Sequence, residues 1–170
     1  KSAQLNITKG VSSFYSVGGT IHGLIGSLTL SNGADVLTKT TDGAFTFSNT
    51  LASGSGYLVL VQANPATQIC TVINHTGTIN NSNVTNVEVS CSTNTRTIGG
   101  TVSGLTSGDA LTLQNNLGTN LSLLNTDGDY TFSTPEAQGA LYNVTVLTQP
   151  STKTCSVSNG SGTVGTTDIT

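Results

Sequence analysis

The three cysteines are the side chains of this sequence best suited to covalent chemistry. Cys70 and Cys91 bracket the last two apolar-alternating segments in the first half of the chain, a spacing that favours a disulfide. A closed loop of that length stabilises a domain by roughly 3 kcal/mol in the chain-entropy account, and a disulfide indicates an oxidising, extracellular setting. Two free buried thiols are the alternative. A zinc site is disfavoured, because the sequence has no CxxC spacing and only 2 His.

The remaining candidates for metal binding lack the partners that a metal needs. His22 and His75 have no Cys or carboxylate at ligand spacing, so we interpret both as solvated surface side chains. The segment Asp127-Gly128-Asp129 suggests calcium, which takes many oxygen ligands from one loop. The corresponding segment 42–44 reads Asp-Gly-Ala, however, so the shared Asp is better explained by a turn.

No pattern of nucleophiles or carboxylates indicates catalysis. The Gly-Ser-Gly segments at 54–56 and 160–162 lack the strand–turn–helix context of a nucleophilic serine. No paired carboxylates recur beside an aromatic sugar platform, as glycosidase chemistry would require. The sequence therefore predicts a protein that is not an enzyme and that has neither a metal nor another cofactor.

Most of the residues named above lie in or near one stretch of sequence that occurs twice in the chain. Residues 42–70 and 127–155 share Asp-Gly, an aromatic-Thr-Phe triplet, a Tyr, an apolar strand, Gln, Pro and Cys, at a constant offset of 85 residues. A fixed long offset indicates a duplicated structural unit. We expect an N-terminal extension at 1–14, a first repeat at 15–95 and a second, incomplete repeat at 96–170.

Composition and patterning favour an all-β fold. Charged residues make up 8% of the chain, with 20 Gly and a net charge of −3, and about seven short alternating segments per repeat are typical of a β-sandwich. Asp42-Gly43 and Asp127-Gly128 predict tight hairpin turns with positive φ. Lys153–Val157, which contains the recurring Cys, is predicted to be a strand.

The second repeat stops before its last predicted strand. The offset of 85 places the equivalent of Cys91 at position 176, beyond Thr170. Cys155 is therefore expected to be unpaired or to seek a partner. A sandwich without this strand exposes unpaired backbone groups and an open core.

Two hypotheses explain the missing strand. In one, the chain is part of a longer tandem array. In the other, the N-terminal segment of another copy fills the gap, because residues 4–8 (QLNIT) have the same alternation as residues 86–90 (NVEVS). Leu5 and Ile7 would then be the inserted side chains of a donor strand, and head-to-tail addition would generate a filament. Phe14 and Tyr15, which have no counterpart in the second repeat, are expected to pack between units or subunits.

The repeats resemble a known group of proteins. GGTVSGL, LTLQNN, TDGDYTF and YNVTV followed by QP and C are similar to tandem Ig-like repeats of bacterial cell-surface and secreted proteins, and also to prealbumin-like (carboxypeptidase regulatory-type) sandwiches. The resemblance covers residues 16–170 and implies stalks, adhesins and fibres with no catalytic residues. The resulting prediction is two tandem Ig-like antiparallel β-sandwiches, the second lacking its last strand.

These features predict a structural subunit of an extracellular or cell-surface bacterial filament, with other copies of itself as partners. The alternatives are a segment of a long tandem-repeat adhesin or stalk, and a carbohydrate-binding accessory module, which the absence of Trp disfavours.

No basic patch indicates nucleic acid, and no apolar run is long enough to insert into a membrane. The start at Lys1, without an apolar signal region, predicts a processed segment. Glycans on Ser, Thr or Asn are a further candidate feature. The Asn-x-Ser/Thr triplets begin at Asn6, Asn74, Asn80, Asn83, Asn120, Asn143 and Asn159.

Overall fold

A computed structural model describes residues 13–124 and 126–170 of the chain. The chain divides into two compact units between Ser92 and Thr93. Every regular secondary-structure element assigned in the described residues is a β-strand, which confirms the predicted all-β sandwich class. Leu5 and Ile7 lie outside the described residues.

Ten strands are assigned in the described part of the first unit, the last of which ends one residue into the second. They are β1 (Phe14–Tyr15), β2 (Val17–His22), β3 (Leu28–Asn32), β4 (Asp35–Lys39), β5 (Gly43–Thr46), β6 (Leu51–Ala52), β7 (Gly56–Ala63), β8 (Gln68–Ile73), β9 (Thr76–Thr78) and β10 (Val84–Thr93).

The first unit is built on two four-stranded sheets, in the orders β5-β2-β10-β8 and β4-β3-β7-β9. Successive side chains of a strand point to opposite faces, so alternate apolar residues form the core. Leu28 and Leu30 of β3 and Val87 and Val89 of β10 are all fully buried in it. These residues make β10 an integral part of the core.

The sheet that contains β10 differs from the expected antiparallel arrangement. Strand β10 runs parallel to β2, with Val87 opposite Gly19 and Val89 opposite Ile21. Parallel neighbours need a long crossover connection. Here the chain between β2 and β10 includes the strands of the other sheet. The two strands therefore meet with the same direction at the centre of their sheet.

The predicted hairpins at Asp42-Gly43 and Asp127-Gly128 are both wrong, although their glycines have positive φ (116° and 135°), because each segment connects strands of different sheets. Strand β4 belongs to one sheet and β5 to the other, so the segment at Asp42-Gly43 crosses between sheets. The Asp42 carboxylate accepts hydrogen bonds from the backbone N–H groups of Leu24, at 2.6 Å, and Gly23, at 2.9 Å. These bonds hold the pKa of Asp42 below its usual value and tie the crossing to the end of β2.

Eight strands follow β10 in the described residues. They are β11 (Thr95–Arg96), β12 (Gly99–Val102), β13 (Ala110–Asn115), β14 (Thr119–Leu124), β15 (Gly128–Thr131), β16 (Glu136–Ala137), β17 (Leu141–Thr148) and β18 (Ser161–Thr163).

The second unit repeats one sheet of the first and only half of the other. Its sheet in the order β14-β13-β17-β18 matches β4-β3-β7-β9, whereas β12 and β15 form a sheet of two strands where the first unit has four. The core is smaller and is centred on Phe132, whose ring meets that of Tyr130 edge-on with centroids 5.7 Å apart. The half-sheet leaves one side of this core without the two strands that cover it in the first unit.

The predicted disulfide between Cys70 and Cys91 is confirmed, with the two sulfur atoms 2.06 Å apart. It joins β8 to β10 and so fastens the two strands that have no equivalent in the second unit. We expect Cys70→Ser together with Cys91→Ser to lower the free energy of unfolding of the first unit by about 3 kcal/mol, because the cross-link restricts the unfolded chain. Chemical unfolding of the oxidised, reduced and doubly substituted chains would check this. Equal stability of all three would contradict it.

Candidate functional site

The incomplete sheet of the second unit borders an elongated groove of about 880 Å³. We call it the open groove. One wall is formed by residues 99–104 and the other by residues 153–160, with Leu111, Leu113 and Val144 among the residues at its base. In the first unit, β10 occupies the position that corresponds to this space.

The wall at 153–160 corrects a prediction from the sequence. Lys153–Val157 was expected to form a strand, but the described residues 151–160 contain no strand. The equivalent segment in the first unit, β8, lies next to β10 and shares its sheet. Because no neighbour offers backbone partners in the second unit, the same sequence pattern does not form a ladder there.

The missing strand nevertheless begins in the second unit. Ile169 forms a parallel bridge with Ile98, as Val84 does with Val17 in the first unit. Ile169 N–H donates to the carbonyl of Thr97 at 3.0 Å, and Gly99 N–H donates to the carbonyl of Ile169 at 2.8 Å. Ile169 therefore fixes the point at which a strand in the groove begins.

A polar side chain fixes this starting point in each unit. Asp168 accepts a hydrogen bond from Thr97 N–H at 2.9 Å, and Asn83 accepts one from Ser16 N–H at 3.0 Å. Sequence reasoning missed this pair. The available signal was that both residues directly precede the β-branched residue that opens the strand.

Side chains facing the open groove are more exposed than their counterparts in the first unit. Tyr130 and Val102 are half-buried around the core, whereas Phe45 and Ile21 at the same positions are 4% and 0% exposed. Partial burial raises the pKa of the Tyr130 hydroxyl. The groove thus presents apolar surface that an added strand would cover.

Equivalent glycines of the two units lie at the position where β10 passes in the first unit. A Cβ on Gly19 would overlap the carbonyl oxygen of Val87, because β10 lies directly against that glycine. Gly100 is its counterpart, and the three atoms nearest to a Cβ there belong to the side chain of Tyr130, at 3.2–3.3 Å. The place that the backbone of β10 takes beside Gly19 is therefore bordered, beside Gly100, by the side chain of Tyr130.

Cys155 lines the groove at the position that Cys70 occupies in the first unit. It is a free, half-buried thiol that packs against the core of the second unit. Its backbone is held by Gln149, whose side chain accepts from Cys155 N–H at 2.6 Å and donates to its carbonyl at 2.8 Å. The sulfur is consequently placed where an added strand would pass.

An ion pair anchors the wall that contains Cys155. Lys153 Nζ lies 2.8 Å from a carboxylate oxygen of Asp109, which is 5% exposed, and also donates to the carbonyl of Gly104 at 2.5 Å. Gln68 fills the same role in the first unit, donating to the carbonyl of Gly23 at 2.7 Å. The hydrogen bond from Lys153 is the main cause that lowers the pKa of Asp109 to about 2.

Because of this ion pair, the free energy of unfolding of the second unit should fall in acid. In the unfolded chain an Asp has a pKa of about 3.9, so the stabilisation from Asp109 is complete above about pH 4 and is lost as the pH falls toward 2. We expect Asp109→Asn to remove the part of the pH dependence of the unfolding free energy that comes from this carboxylate. Urea unfolding followed by circular dichroism between pH 2 and 5 would measure it, with Asp129→Asn as the exposed control. An unchanged pH dependence in Asp109→Asn would contradict the assignment.

The other aromatic and histidine side chains singled out from the sequence belong to the first unit. Phe14 is 61% exposed and pairs with Ala52, while Tyr15 packs at the edge of the first unit's own core. Their packing between units or subunits stays a prediction. His22 and His75 are exposed. Among the described residues, no three His, Cys, Asp or Glu side chains lie close enough to hold a metal ion, and no helix has the length and apolar character to cross a membrane.

Comparison with solved structures shows a similarity of fold. The Bacillus anthracis TIE protein superposes with a TM-score of 0.58 over 93% of this chain, at 11% sequence identity. The chain spans 33% of the length of that protein. No protein-family model matches the sequence, and no curated protein matches it either.

Proposed function

We propose that this chain is a structural building block of an extracellular bacterial filament or surface stalk, in which one further β-strand completes the second unit. The open groove carries this proposal, because the apolar side chains of Leu111, Leu113 and Val144 within it, the edge of β12 and the defined starting residue all suit a strand. The disulfide of the first unit fits a secreted protein.

In the filament form, residues 4–8 of another copy supply the strand. Their alternation matches residues 86–90 of β10, which put Val87 and Val89 at 0% exposure. Full burial of each such side chain contributes about 1.5–3 kcal/mol, so Leu5 and Ile7 together offer about 3–6 kcal/mol against the cost of association. Head-to-tail addition without ring closure then extends the chain of subunits.

A segment of a long tandem array is the second candidate, and one observation favours it. Ile169 already lies in the register of Val84, so a strand continuing from Thr170 in the same polypeptide would enter the groove without a separate association step. Both candidates give the second unit the same closed fold. They differ in the source of the strand and hence in whether single chains assemble.

Substitution of the proposed inserted residues tests the filament. We expect Leu5→Asn together with Ile7→Asn to abolish fibres seen by negative-stain electron microscopy, because burying two unpaired amides costs about 1–3 kcal/mol each in addition to the lost apolar burial. Asn6→Ser, at an outward position of the same segment, is the matched control and should assemble normally. Fibres that form equally well from the doubly substituted chain would refute strand donation, and a purely monomeric parent chain would favour the array.

A further inference from the structure

We propose that the strand entering the open groove runs parallel to β12 in one fixed register, with Leu5 opposite Gly100, Ile7 opposite Val102 and Lys9 beside Cys155. This inference rests on the proposed filament and specifies how its subunits connect. The donor is the N-terminal segment of a second copy of this chain.

The direction of the strand follows from the two units together. Strand β10 is parallel to β2, and the bridge between Ile98 and Ile169 is also parallel. The alternation of QLNIT would suit either direction, because polar residues stand at both of its ends. The parallel pairing in the first unit and the parallel bridge at the start of the strand position in the second decide for the parallel direction.

The register follows from the residue that already occupies the start of the strand. Ile169 corresponds to Val84, so Thr170 corresponds to the next residue and the incoming strand begins at the equivalent of Asn86. Gln4 takes that position, which places Leu5 and Ile7 where Val87 and Val89 lie in the first unit. A slip of one residue would turn the polar side chains into the core and both apolar ones into solvent.

The chemistry of the groove suits this segment. Lys153 is the one charged side chain among the residues that line the described groove, and it is already paired with Asp109. A strand with a charge at an inward position would bury it without a partner, which is costly. Residues 4–8 carry no charge and present two aliphatic side chains on one face.

The donor segment differs from β10 at its sixth residue. In the first unit this residue is Cys91, which forms the disulfide with Cys70. In the donor segment it is Lys9, which would lie beside Cys155 of the receiving copy. A lysine can lay its aliphatic stem along the groove and keep its ammonium in water. Copies joined in this way are held without a covalent bond, and each junction leaves the Cys155 thiol reduced.

The substitution Lys9→Cys tests direction and register in the full chain. Oxidised glutathione supplies the oxidant: the new thiolate at position 9 attacks it and releases one glutathione thiol, and the Cys155 thiolate then attacks the position 9 sulfur and releases the second. Two protein thiols are oxidised as one glutathione disulfide is reduced. We expect a ladder of covalent multimers on non-reducing gels, at least ten-fold above the parent chain, and a cross-linked peptide pair containing position 9 and Cys155.

Matched variants decide each outcome. Asn6→Cys, at an outward position, should give less than one tenth of the cross-linking, and Cys155→Ser added to Lys9→Cys should give none. Fibres that persist while Lys9→Cys fails to cross-link would overturn the register and leave the filament standing. A link confined to monomers would overturn donation by a second copy, and the absence of both fibres and links would overturn the proposed filament itself.

Discussion

A copy of residues 86–92 joined directly after Thr170 should stabilise the second unit and end its assembly. The copy brings two valines that lie at 0% exposure in β10 and a cysteine placed for Cys155. Burial of the valines contributes about 4 kcal/mol, the new disulfide about 3 kcal/mol and each new ladder hydrogen bond about 1 kcal/mol, whereas ordering the added residues costs about 1–2 kcal/mol each. We expect a net gain of about 3 kcal/mol, or roughly 15 °C in the Tm of the second unit.

Calorimetry of the extended and parent chains would measure the gain, and electron microscopy would follow the fibres. A matched extension in which both valines are replaced by Asn should give neither stabilisation nor loss of fibres, because its polar side chains cannot enter the core. An extended chain with an unchanged Tm would show that the groove does not accept a β10-like strand.

Substitution of the two equivalent glycines should have opposite consequences. Gly19→Ala should destabilise the first unit by about 3 kcal/mol, because the added methyl group overlaps the backbone of Val87 and β10 must move. Gly100→Ala should change the stability of the open second unit by no more than about 1 kcal/mol, because the atoms nearest to the added methyl group, at 3.2–3.3 Å, belong to the far end of the Tyr130 side chain. Gly100→Ala should nevertheless block strand addition.

Chemical unfolding of each variant, with fibre formation as the second measurement, would check this pair. Gly33→Ala is the control for replacing a glycine where a Cβ meets nothing within 4 Å; it tests the cost of the positive φ alone. Unimpaired fibres from Gly100→Ala would mean that the added strand does not pass where β10 passes in the first unit.

The internal repeat made most of the fold predictable. A constant offset and alternating apolar residues are enough to predict strands and their inward faces, and the positions of Cys70 and Cys91 in neighbouring segments were enough to predict the disulfide. The absence of a counterpart to β10 was also visible in the alignment of the two repeats. It led directly to the open groove and to Cys155 in its wall.

Strand direction and local pairing could not be obtained in the same way. Side-chain alternation is identical in parallel and antiparallel strands, so the parallel pairing of β10 with β2 had no local signal. An Asp-Gly pair suits a hairpin and a crossing between sheets equally well, and here the Asp42 carboxylate accepts hydrogen bonds from Gly23 N–H and Leu24 N–H, which favour the crossing. Lys153–Val157 has a strand pattern but no neighbour with which to pair.

The parallel pairing of β2 and β10 determines how the first unit carries tension. A pull on the two ends of this unit draws β2 and β10 in opposite directions along their common axis. The ladder between them is then loaded in shear, so its hydrogen bonds must yield together and not one after another. Even after that rupture, the covalent bridge from Cys70 to Cys91 keeps the intervening loop from lengthening, which limits how far an overstretched unit can extend.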